Sequence, residues 1–536
     1  MNRAKIAFLA ALTFCIHYIF AQSVPFSIVV EPVQIEGLPG LQSYAYGQHE
    51  GKWLLIGGRL DGLHRRQPFA SFDVAGLNTS LTVVDPEAGL KWSAPLSALP
   101  QSLQEQLSAT NMEFHQDGIY LYLAGGYGYS RTAGDHITYP YLTAIKVPEV
   151  IQAIIAGKPF ANHFRQINDR QFAVTGGYLN KIYDTYYLTG GQRFDGRYNP
   201  MGGPSFTQLY TNAIRRFTIQ DDGTTLTVRH LADIIDGQQL HRRDYNVVPQ
   251  ILPNRQEGLT AFSGVFQLNA DLPFLNCVNI DSSGYAPDTA FAQYYNHYHC
   301  AHLPLYSEAA NEMHTLFFGG IAQYYEKDGI LVQDNNVPFV KTIARVTRDA
   351  SGKMAEFKLP VEMPAYLGAS SEFIYAENLP LYPNGVLKMD ELEADTTLAG
   401  YIYGGINSSA ANIFFINTGL ESFAADQLFK VYIVKGNTTG TDKLNAQSTG
   451  GLKMQIFPNP SDGQFTVKFF LTKAEPVKVS VFQPNGALLE RTTIRNTQAG
   501  ENMYQQQLGK RNFTGNYLIT LEIAGEIAAQ QIIIRQ

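Results

Sequence analysis

The chain has 536 residues, of which 12% are aromatic and only 16% are charged, and its formal net charge is −7. This composition suits extensive β-structure and excludes a disordered chain. The mild negative charge argues against a general nucleic-acid binder. The length allows two or more folding units, or one large repeat fold with an appendage.

Residues 1–21 have the pattern of a signal peptide for export. Arg3 and Lys5 precede an apolar run over residues 6–20, and Ala21-Gln22 offers a cleavage point. Beyond this segment the sequence contains no uninterrupted apolar stretch of membrane-spanning length. We therefore expect a mature chain without a transmembrane segment, either secreted or held at the outer-membrane surface.

The mature chain would keep two cysteines, Cys277 and Cys300. Export takes them to a compartment that permits oxidation. A disulfide between them would contribute roughly 3 kcal/mol by the chain-entropy model. The alternative is a pair of small thiols buried in neighbouring units, and the sequence leaves both interpretations open.

Six apolar, β-rich segments end at a pair of small residues, five times Gly-Gly and once Ser-Gly. They are 53–58, 120–126, 186–191, 259–264, 314–320 and 400–405. Glycine pairs allow backbone shapes that other residues avoid and leave room for close neighbours. The first residues of the pairs stand at 57, 125, 190, 263, 319 and 404, so the intervals run from 56 to 85 residues. This internal repeat predicts a propeller with expanded loops.

A strand candidate at residues 27–35 arrives before the first repeat unit begins. The last unit lacks a strand, because no fourth strand follows its third strand, 428–434. We therefore expect the N-terminal strand to complete the sixth unit and close the ring. Closure of this kind removes exposed strand edges.

The first unit carries a family resemblance. A strand at residues 81–84, the acidic residue Asp85, a turn and then Trp92 resemble the kelch repeat, and the match is strongest over residues 52–92. The resemblance implies an all-β protein with a six-bladed kelch-like β-propeller over residues 22–434. An insertion in the sixth unit, residues 379–395, is expected to be a solvated surface loop.

Composition changes abruptly at residues 435–451, a Gly-, Thr-, Asn- and Ser-rich stretch that we interpret as a flexible linker. Residues 452–536 then alternate short strands with turn signals, which is typical of a small β-sandwich, here Ig-like. The expected strands are 464–470, 477–483, 487–494, 502–507, 515–523 and 527–534.

This last segment resembles the type A C-terminal sorting domain of type IX secretion cargo. The resemblance is carried by Phe457, Pro458, Asn459, Pro460, Gly463, Gly515 and Tyr517. It implies a Bacteroidota protein, with a translocon and a sortase as partners of the tail. It also implies that the tail is removed near the linker, with release of the protein or its attachment to surface lipopolysaccharide.

In an up-and-down propeller, the loops after the glycine pairs share one face with the crossings into the next unit. That face is predicted to be rich in Arg and Tyr, which suit anionic groups and the surfaces of sugars or proteins. The candidate binding residues are Arg59, His64, Arg65, Arg66, Tyr127, Arg131, Arg193, Arg197, Tyr198, Arg242, Arg243 and Tyr298. The opposing interpretation is that these arginines pair with Asp residues of the same loops.

The expected role is binding of a glycan, including an anionic one, or of another surface protein, without a cofactor. The alternative is an enzyme acting on sugars. His297 and His299 alternate along an expected inner strand and could contribute two metal ligands, copper among them, as in kelch enzymes similar to galactose oxidase. A sialic acid mutarotase is the other kelch precedent, and Arg243 with Asp244 is a loose counterpart of its Arg and acid pair.

Overall fold

The structure is a computed structural model that describes residues 26–327, 330–435, 454–459, 461–482, 488–508, 515–523 and 526–534. The predicted signal peptide, Pro460 and all but the first residue of the predicted linker lie outside the described residues. The described chain is mostly β-strand, which confirms the predicted all-β class. Two α-helices, Gln101–Leu107 and Val147–Ile155, pack beside the first two sheets.

Residues 26–435 contain six sheets whose four main strands run antiparallel in up-and-down order. Sheet 1 comprises Ala45–His49, Lys52–Ile56, Ser80–Asp85 and Leu90–Pro95; sheet 2 comprises Thr110–Asp117, Tyr120–Ser130, Tyr141–Lys146 and Phe164–Asn168; sheet 3 comprises Tyr178–Ile182, Thr185–Thr189, Ala213–Asp221 and Leu226–His230. Sheet 4 comprises Asn246–Ile251, Glu257–Phe262, Cys277–Ile280 and Tyr285–Asp288; sheet 5 comprises His302–Ser307, Glu312–Phe318, Thr342–Arg348 and Met354–Glu362; sheet 6 comprises Tyr366–Tyr375, Thr396–Ser408, Leu428–Lys435 and Phe26–Val33.

Shorter elements decorate these sheets. The added strands are Asp135–Thr138, Ile234–Ile235, Leu387–Lys388 and Ser422–Ala424, and two hairpins pair Gln192–Gly196 with Phe206–Tyr210 and Tyr324–Lys327 with Ile330–Gln333. The 3₁₀ turns are Val74–Gly76, Leu96–Ala98, Ala161–His163, Arg170–Phe172 and Met389–Glu391.

The N-terminal strand completes sheet 6, as the sequence predicts. Its register is antiparallel along its whole length, from Phe26 opposite Lys435 to Val33 opposite Leu428. Phe26 and Ile28 are 2% and 7% exposed, in a core shared with sheet 5. The first and last strands of residues 26–435 are therefore joined by hydrogen bonds and by apolar packing.

The glycine pairs join one sheet to the next. In five of the six sheets, the N–H of the second glycine donates to a carbonyl at or just before the start of the first strand of the following sheet. These bonds run from Gly58 to Ala109, Gly126 to Val174, Gly191 to Arg242, Gly320 to Leu367 and Gly405 to Leu41, at 2.8 to 2.9 Å. The last bond returns from sheet 6 to sheet 1. A Cβ on Gly125 would stand 1.9 Å from the Val174 oxygen, so this approach requires glycine.

A second set of hydrogen bonds connects residues that lie shortly before or within the first strands of the six sheets. Five backbone hydrogen bonds and one hydrogen bond from a threonine hydroxyl form a closed series that starts and ends at Ser43. The donor–acceptor pairs are Ser43 to Ser370, Ser370 to His299, His299 to Asp244, Asp244 to Gly176, Thr175 Oγ1 to Asn111 and Asn111 to Ser43. Their distances lie between 2.7 and 3.2 Å. All six sheets therefore contribute in chain order to one closed series of contacts.

The described chain decides between the two interpretations of the cysteines, and it corrects one expectation, that of a solvated loop in the sixth unit. Cys277 and Cys300 are both free and buried, so they are not a disulfide; burial raises the pKa of each thiol to about 12. The insertion in the sixth unit is not simply a solvated loop. Its Leu387–Lys388 strand pairs in parallel with the first strand of sheet 5, and Val386 and Leu387 are fully buried because they extend the core of that sheet.

The C-terminal segment contains two sheets around one apolar core. The three-stranded sheet comprises Met454–Phe457, Gln464–Leu471 and Gly500–Gln507, and the four-stranded sheet comprises Val477–Phe482, Leu488–Ile494, Gly515–Ile523 and Glu526–Ile534. Six of these strands match the predicted ones to within two residues at each end. The seventh, Met454–Phe457, is not among the predicted strands.

Candidate functional site

The loops that follow the second strands pack against one another. Arg197 Nε, from the loop of sheet 3, donates to the Ser71 carbonyl of the sheet 1 loop at 2.8 Å. Asn417 Nδ2, from the loop of sheet 6, donates to the Leu63 carbonyl at 2.7 Å. The loops of sheets 1, 3 and 6 are therefore brought together, as their connectivity predicts.

Aromatic side chains fill the space between these loops. His64 stacks on Phe72 with ring centroids 5.3 Å apart, and it meets Tyr198 edge-on at 5.0 Å. Tyr127 lies edge-on to Phe72 at 5.2 Å and donates its hydroxyl to the Gly196 carbonyl at 2.8 Å. Burial, followed by the nearby guanidinium of Arg243, lowers the pKa of His64 to about 4. These predicted binding residues therefore hold the loops together as packed rings.

Four of the eight predicted arginines form ion pairs with Asp side chains. The pairs are Arg59 with Asp61 at 2.5 Å, Arg193 with Asp195 at 2.6 Å, Arg197 with Asp73 at 3.8 Å, and Arg243 with Asp244. Arg242 is 1% exposed, so it cannot meet a ligand directly; it lies 4.0 Å from the Phe274 ring centroid and donates to the Ser263 carbonyl at 2.5 Å. These five arginines act chiefly as structural groups.

The other three predicted arginines are neither fully buried nor part of an ion pair among the described residues. Arg131 is exposed at a turn beside the Gln101–Leu107 helix. Arg65 and Arg66 are half-buried on the sheet 1 loop, and among the described residues neither has a carboxylate within the 4.0 Å of an ion pair. The sheet 1 loop thus carries two guanidinium groups without an ion-pair partner among the described residues.

An exposed apolar patch adjoins these two arginines. It consists of four side chains from the sheet 6 loop, here called the loop-tip patch: Phe415, Ile416, Leu420 and Phe423. Phe415 is 72% exposed and Leu420 is 90% exposed. The Arg66 guanidinium lies 5.1 Å from the Phe415 ring centroid, and the stem of Arg65 lies against Gly419.

The patch was missed in the sequence although a signal for it exists. Residues 413–416 read Ile-Phe-Phe-Ile, between Ser408-Ser409 and the turn at Thr418-Gly419, in a stretch with no strand alternation. An apolar run of this kind in a loop is unusual, because loops are solvated. Ile413 is buried and Phe414 packs on the buried Phe339 ring, whereas Phe415 and Ile416 are exposed.

A small cavity is lined by residues of the closed series of hydrogen bonds, among them Ser43, Asn111 and Gly176. Its volume is about 30 Å³, enough for about two water molecules, and its lining includes Glu113, Asp244, His299 and Glu372. This size excludes a sugar ring. His299 Nε2 and Glu372 Oε1 form an ion pair at 3.0 Å. Burial lowers the pKa of His299, but the Glu372 carboxylate outweighs it, so the pKa is raised.

Glu113 contributes a buried carboxyl group to the lining of this cavity. Burial raises its pKa well above the ordinary value, although the Gly177 N–H that donates to Oε1 at 2.8 Å opposes the shift. Its Oε2 is buried without a hydrogen-bond partner among the described residues. Tyr298 lies beside the Arg243–Asp244 pair, and burial together with the Asp244 carboxylate raises its pKa.

The expectation that His297 and His299 alternate along an inner strand is wrong. The first strand of sheet 5 begins at His302, and both histidines precede it in irregular backbone. His297 Nδ1 accepts the Gln323 N–H at 3.0 Å, and Nε2 donates to the Gln293 carbonyl at 2.8 Å. Both ring nitrogens are thus engaged, and the pKa falls to about 4 because of burial. Within the described residues, no three His, Cys, Asp or Glu side chains are grouped to hold a metal ion.

Residues 455–535 match the family model of the secretion system C-terminal sorting domain. The chain ends in a sorting domain of type IX secretion. The match indicates a protein delivered to the cell surface or beyond, whose tail is recognised by the type IX machinery. Of the sorting residues predicted, Tyr517 is buried in the core of this segment and Phe457 is partly exposed. No helix in the described part of the chain is long and apolar enough to cross a membrane.

None of the curated proteins matches the chain. Among solved structures, that of YjhT is 10% identical, covers 73% of this chain and 100% of its own, and has a TM-score of 0.39. A RAG complex with one melted and one unmelted RSS is 11% identical, with 76% and 99% coverage and a TM-score of 0.34. The fission yeast SREBP–SCAP binding domains are 11% identical, with 82% and 100% coverage and a TM-score of 0.25.

Proposed function

We propose that the protein is an exported binding protein built on a six-bladed kelch-like propeller, followed by an Ig-like sorting tail. The propeller proposal is supported by six sheets with four main strands each, by glycine-pair bonds that run from five of these sheets to the next, and by the N-terminal strand in sheet 6. The tail directs the chain through the type IX translocon and is the substrate of its sortase. The propeller is the part that acts outside the cell.

The proposed ligand is a protein segment that carries both acidic and apolar side chains. The observation behind this choice is the loop-tip patch, where exposed Phe415 and Leu420 adjoin Arg65 and Arg66. Exposed apolar clusters of this kind mark protein interaction sites. Aromatic residues and arginine dominate the binding energy of such interfaces. An anionic glycan would use the two arginines but would leave Ile416 and Leu420 in water.

The packed aromatic cluster beneath the patch favours binding as well. His64, Phe72 and Tyr198 fix the loop that carries Arg65 and Arg66, so little order has to be gained when a partner docks. A surface that is rigid before binding loses less conformational entropy on association. The loop face therefore has a stable platform, two free charges and an apolar contact area.

The proposal is tested by selecting ligands for the full mature chain from a displayed random-peptide library and from an array of neutral and anionic glycans. We expect enrichment of peptides that place Asp or Glu beside Phe, Leu or Trp. Substitution of both Arg65→Ala and Arg66→Ala should weaken the selected peptides by at least about tenfold, as should Phe415→Ser with Leu420→Ser.

Arg131→Ala is the matched control, because it removes an exposed arginine that lies away from the patch. Its binding should equal that of the unaltered chain. Selection of anionic glycans alone, or of peptides whose binding survives both double substitutions, would overturn the proposal.

A further inference from the structure

The loop after the second strand of sheet 4 and the segments before and after this sheet line an open cleft of about 460 Å³, and none of the predicted binding residues is in its lining. Nine residues form its wall, and five of them carry side-chain amides: Gln238, Gln239, Gln267, Asn269 and Asn276. No charged residue is among the nine. The volume falls within the range of about 300–1,000 Å³ that is common for small-molecule sites.

Buried Arg242 organises one wall of this cleft. Its Nη2 donates to Asn276 Oδ1 at 2.9 Å, and its Nη1 donates to the Asn276 carbonyl at 2.8 Å. Asn276 Nδ2 in turn donates to Gln239 Oε1 at 2.8 Å. The side chains of Gln239 and Asn276 are therefore held in one orientation before a ligand arrives. Arg242 was predicted to touch a ligand, and the geometry gives it a positioning role instead.

The opposite wall is fixed in a similar way. Gln267 Nε2 donates to the Pro273 carbonyl at 2.7 Å, which turns the amide of this side chain. Within the described part of the chain, Gln267 Oε1 accepts no hydrogen bond and Gln239 Nε2 donates none. One free acceptor and one free donor thus belong to the lining of the same cleft, and Asn269 and Gln238 add exposed amides at its rim.

The chemistry of the lining selects the ligand. Side-chain amides both donate and accept, so they match hydroxyl groups, which also do both. An anion or a cation would lose its hydration without meeting an opposite charge in the lining, which is unfavourable. Phe274 and Leu275 supply an apolar part of the wall that suits the C–H face of a sugar ring.

We infer that this cleft binds an uncharged saccharide of one or two rings. The inference is independent of the protein-binding role proposed for the loop-tip patch, since the loops of sheets 1 and 6 contribute no residue to the cleft. The protein would then carry two recognition sites, one for an acidic and apolar peptide segment and one for a neutral sugar.

The test uses the full mature chain and ligand-observed NMR with a panel of glucose, galactose, mannose, N-acetylglucosamine, lactose, glucuronate and sialic acid. We expect at least one neutral member to bind with a dissociation constant below about 10 mM. Gln267→Ala should weaken it at least about fivefold, and Thr289→Trp, which fills the exposed rim of the cleft, should abolish its binding.

Gln152→Ala is the matched control, because Gln152 is exposed on the helix Val147–Ile155, outside the cleft. This variant and the double variant Arg65→Ala, Arg66→Ala should bind the sugar normally. Circular dichroism and unfolding curves would confirm that the cleft variants are folded. Binding of the charged sugars alone, absence of binding across the panel, or sugar binding that survives both cleft substitutions would overturn the inference.

Discussion

Replacing the first glycine of a pair tests how neighbouring sheets are joined. Gly125 and Gly134 both have positive φ values, 65° and 71°, so an alanine at either position meets the same left-handed backbone strain of about 1–2 kcal/mol. Only at Gly125 would the added Cβ clash with a neighbouring atom. Its added Cβ would stand 1.9 Å from the Val174 oxygen, whereas no atom lies within 4 Å of the corresponding position at Gly134.

The extra cost at Gly125 follows from this geometry. Ordinary contact begins at 3.4 Å, so the two segments would have to separate by about 1.5 Å. This movement breaks the 2.9 Å bond from the Gly126 N–H to the Val174 carbonyl, worth about 1 kcal/mol, and disturbs a close-packed joint, which costs about 1–3 kcal/mol. We expect Gly125→Ala to be about 2–4 kcal/mol less stable than Gly134→Ala.

Equilibrium urea unfolding measures this difference. Fluorescence is a suitable signal, because Trp53 is buried in sheet 1 and its ring lies 5.0 Å from that of Tyr401 in sheet 6. Thermal midpoints are less suitable, since an unfolding entropy of about 2 cal/mol/K per residue makes them insensitive in a chain of this size. Equal stabilities of the two variants would refute the assignment of the glycine pairs as joints between sheets.

Two further perturbations probe the closure of the sheets and the central cavity. Ile28→Ala should reduce the free energy of unfolding by about 2–5 kcal/mol, because Ile28 is buried in the core shared by sheets 5 and 6. The control Val29→Thr, at a 47% exposed position, should leave the free energy of unfolding nearly unchanged. Similar urea midpoints for the two variants would contradict the role of this strand in closing the sheets. The raised pKa of Glu113 stabilises the native chain at low pH, and this contribution is lost as the pH rises above 4.5 and through the raised pKa of the buried carboxyl. Glu113→Gln has no such group, so its stability relative to the native chain should increase as the pH rises. Unfolding curves at pH 5 and pH 8 would measure this, and a native–variant difference that is the same at both would contradict it.

Much of the fold was predictable because it repeats along the sequence. The glycine pairs marked the second strands, and the unpaired strand at each end of residues 26–435 required a partner, which Phe26–Val33 and Leu428–Lys435 supply to each other. Periodic, turn-bounded strands likewise gave six of the seven C-terminal elements. Local signals suffice where each unit meets its neighbours in the same way.

The candidate site was less predictable because it depends on side-chain pairing between distant residues. The sequence cannot tell Arg197, whose partner Asp73 is more than a hundred positions away, from Arg65, which has no such partner among the described residues. The sequence also gave no reason to expect that both ring nitrogens of His297 would form hydrogen bonds with backbone groups.

The sequence by itself determined the β-class, the repeated glycine pairs, the strand that completes sheet 6 and the sorting tail, because each of these is encoded locally or as a repeat. Only the tertiary structure decided which arginines are neutralised, that the two thiols stay apart, that the central cavity holds only water-sized groups, and that apolar loop tips and an amide-lined cleft lie open. Those outcomes depend on which loops meet in space, and the side chains that meet are far apart along the chain.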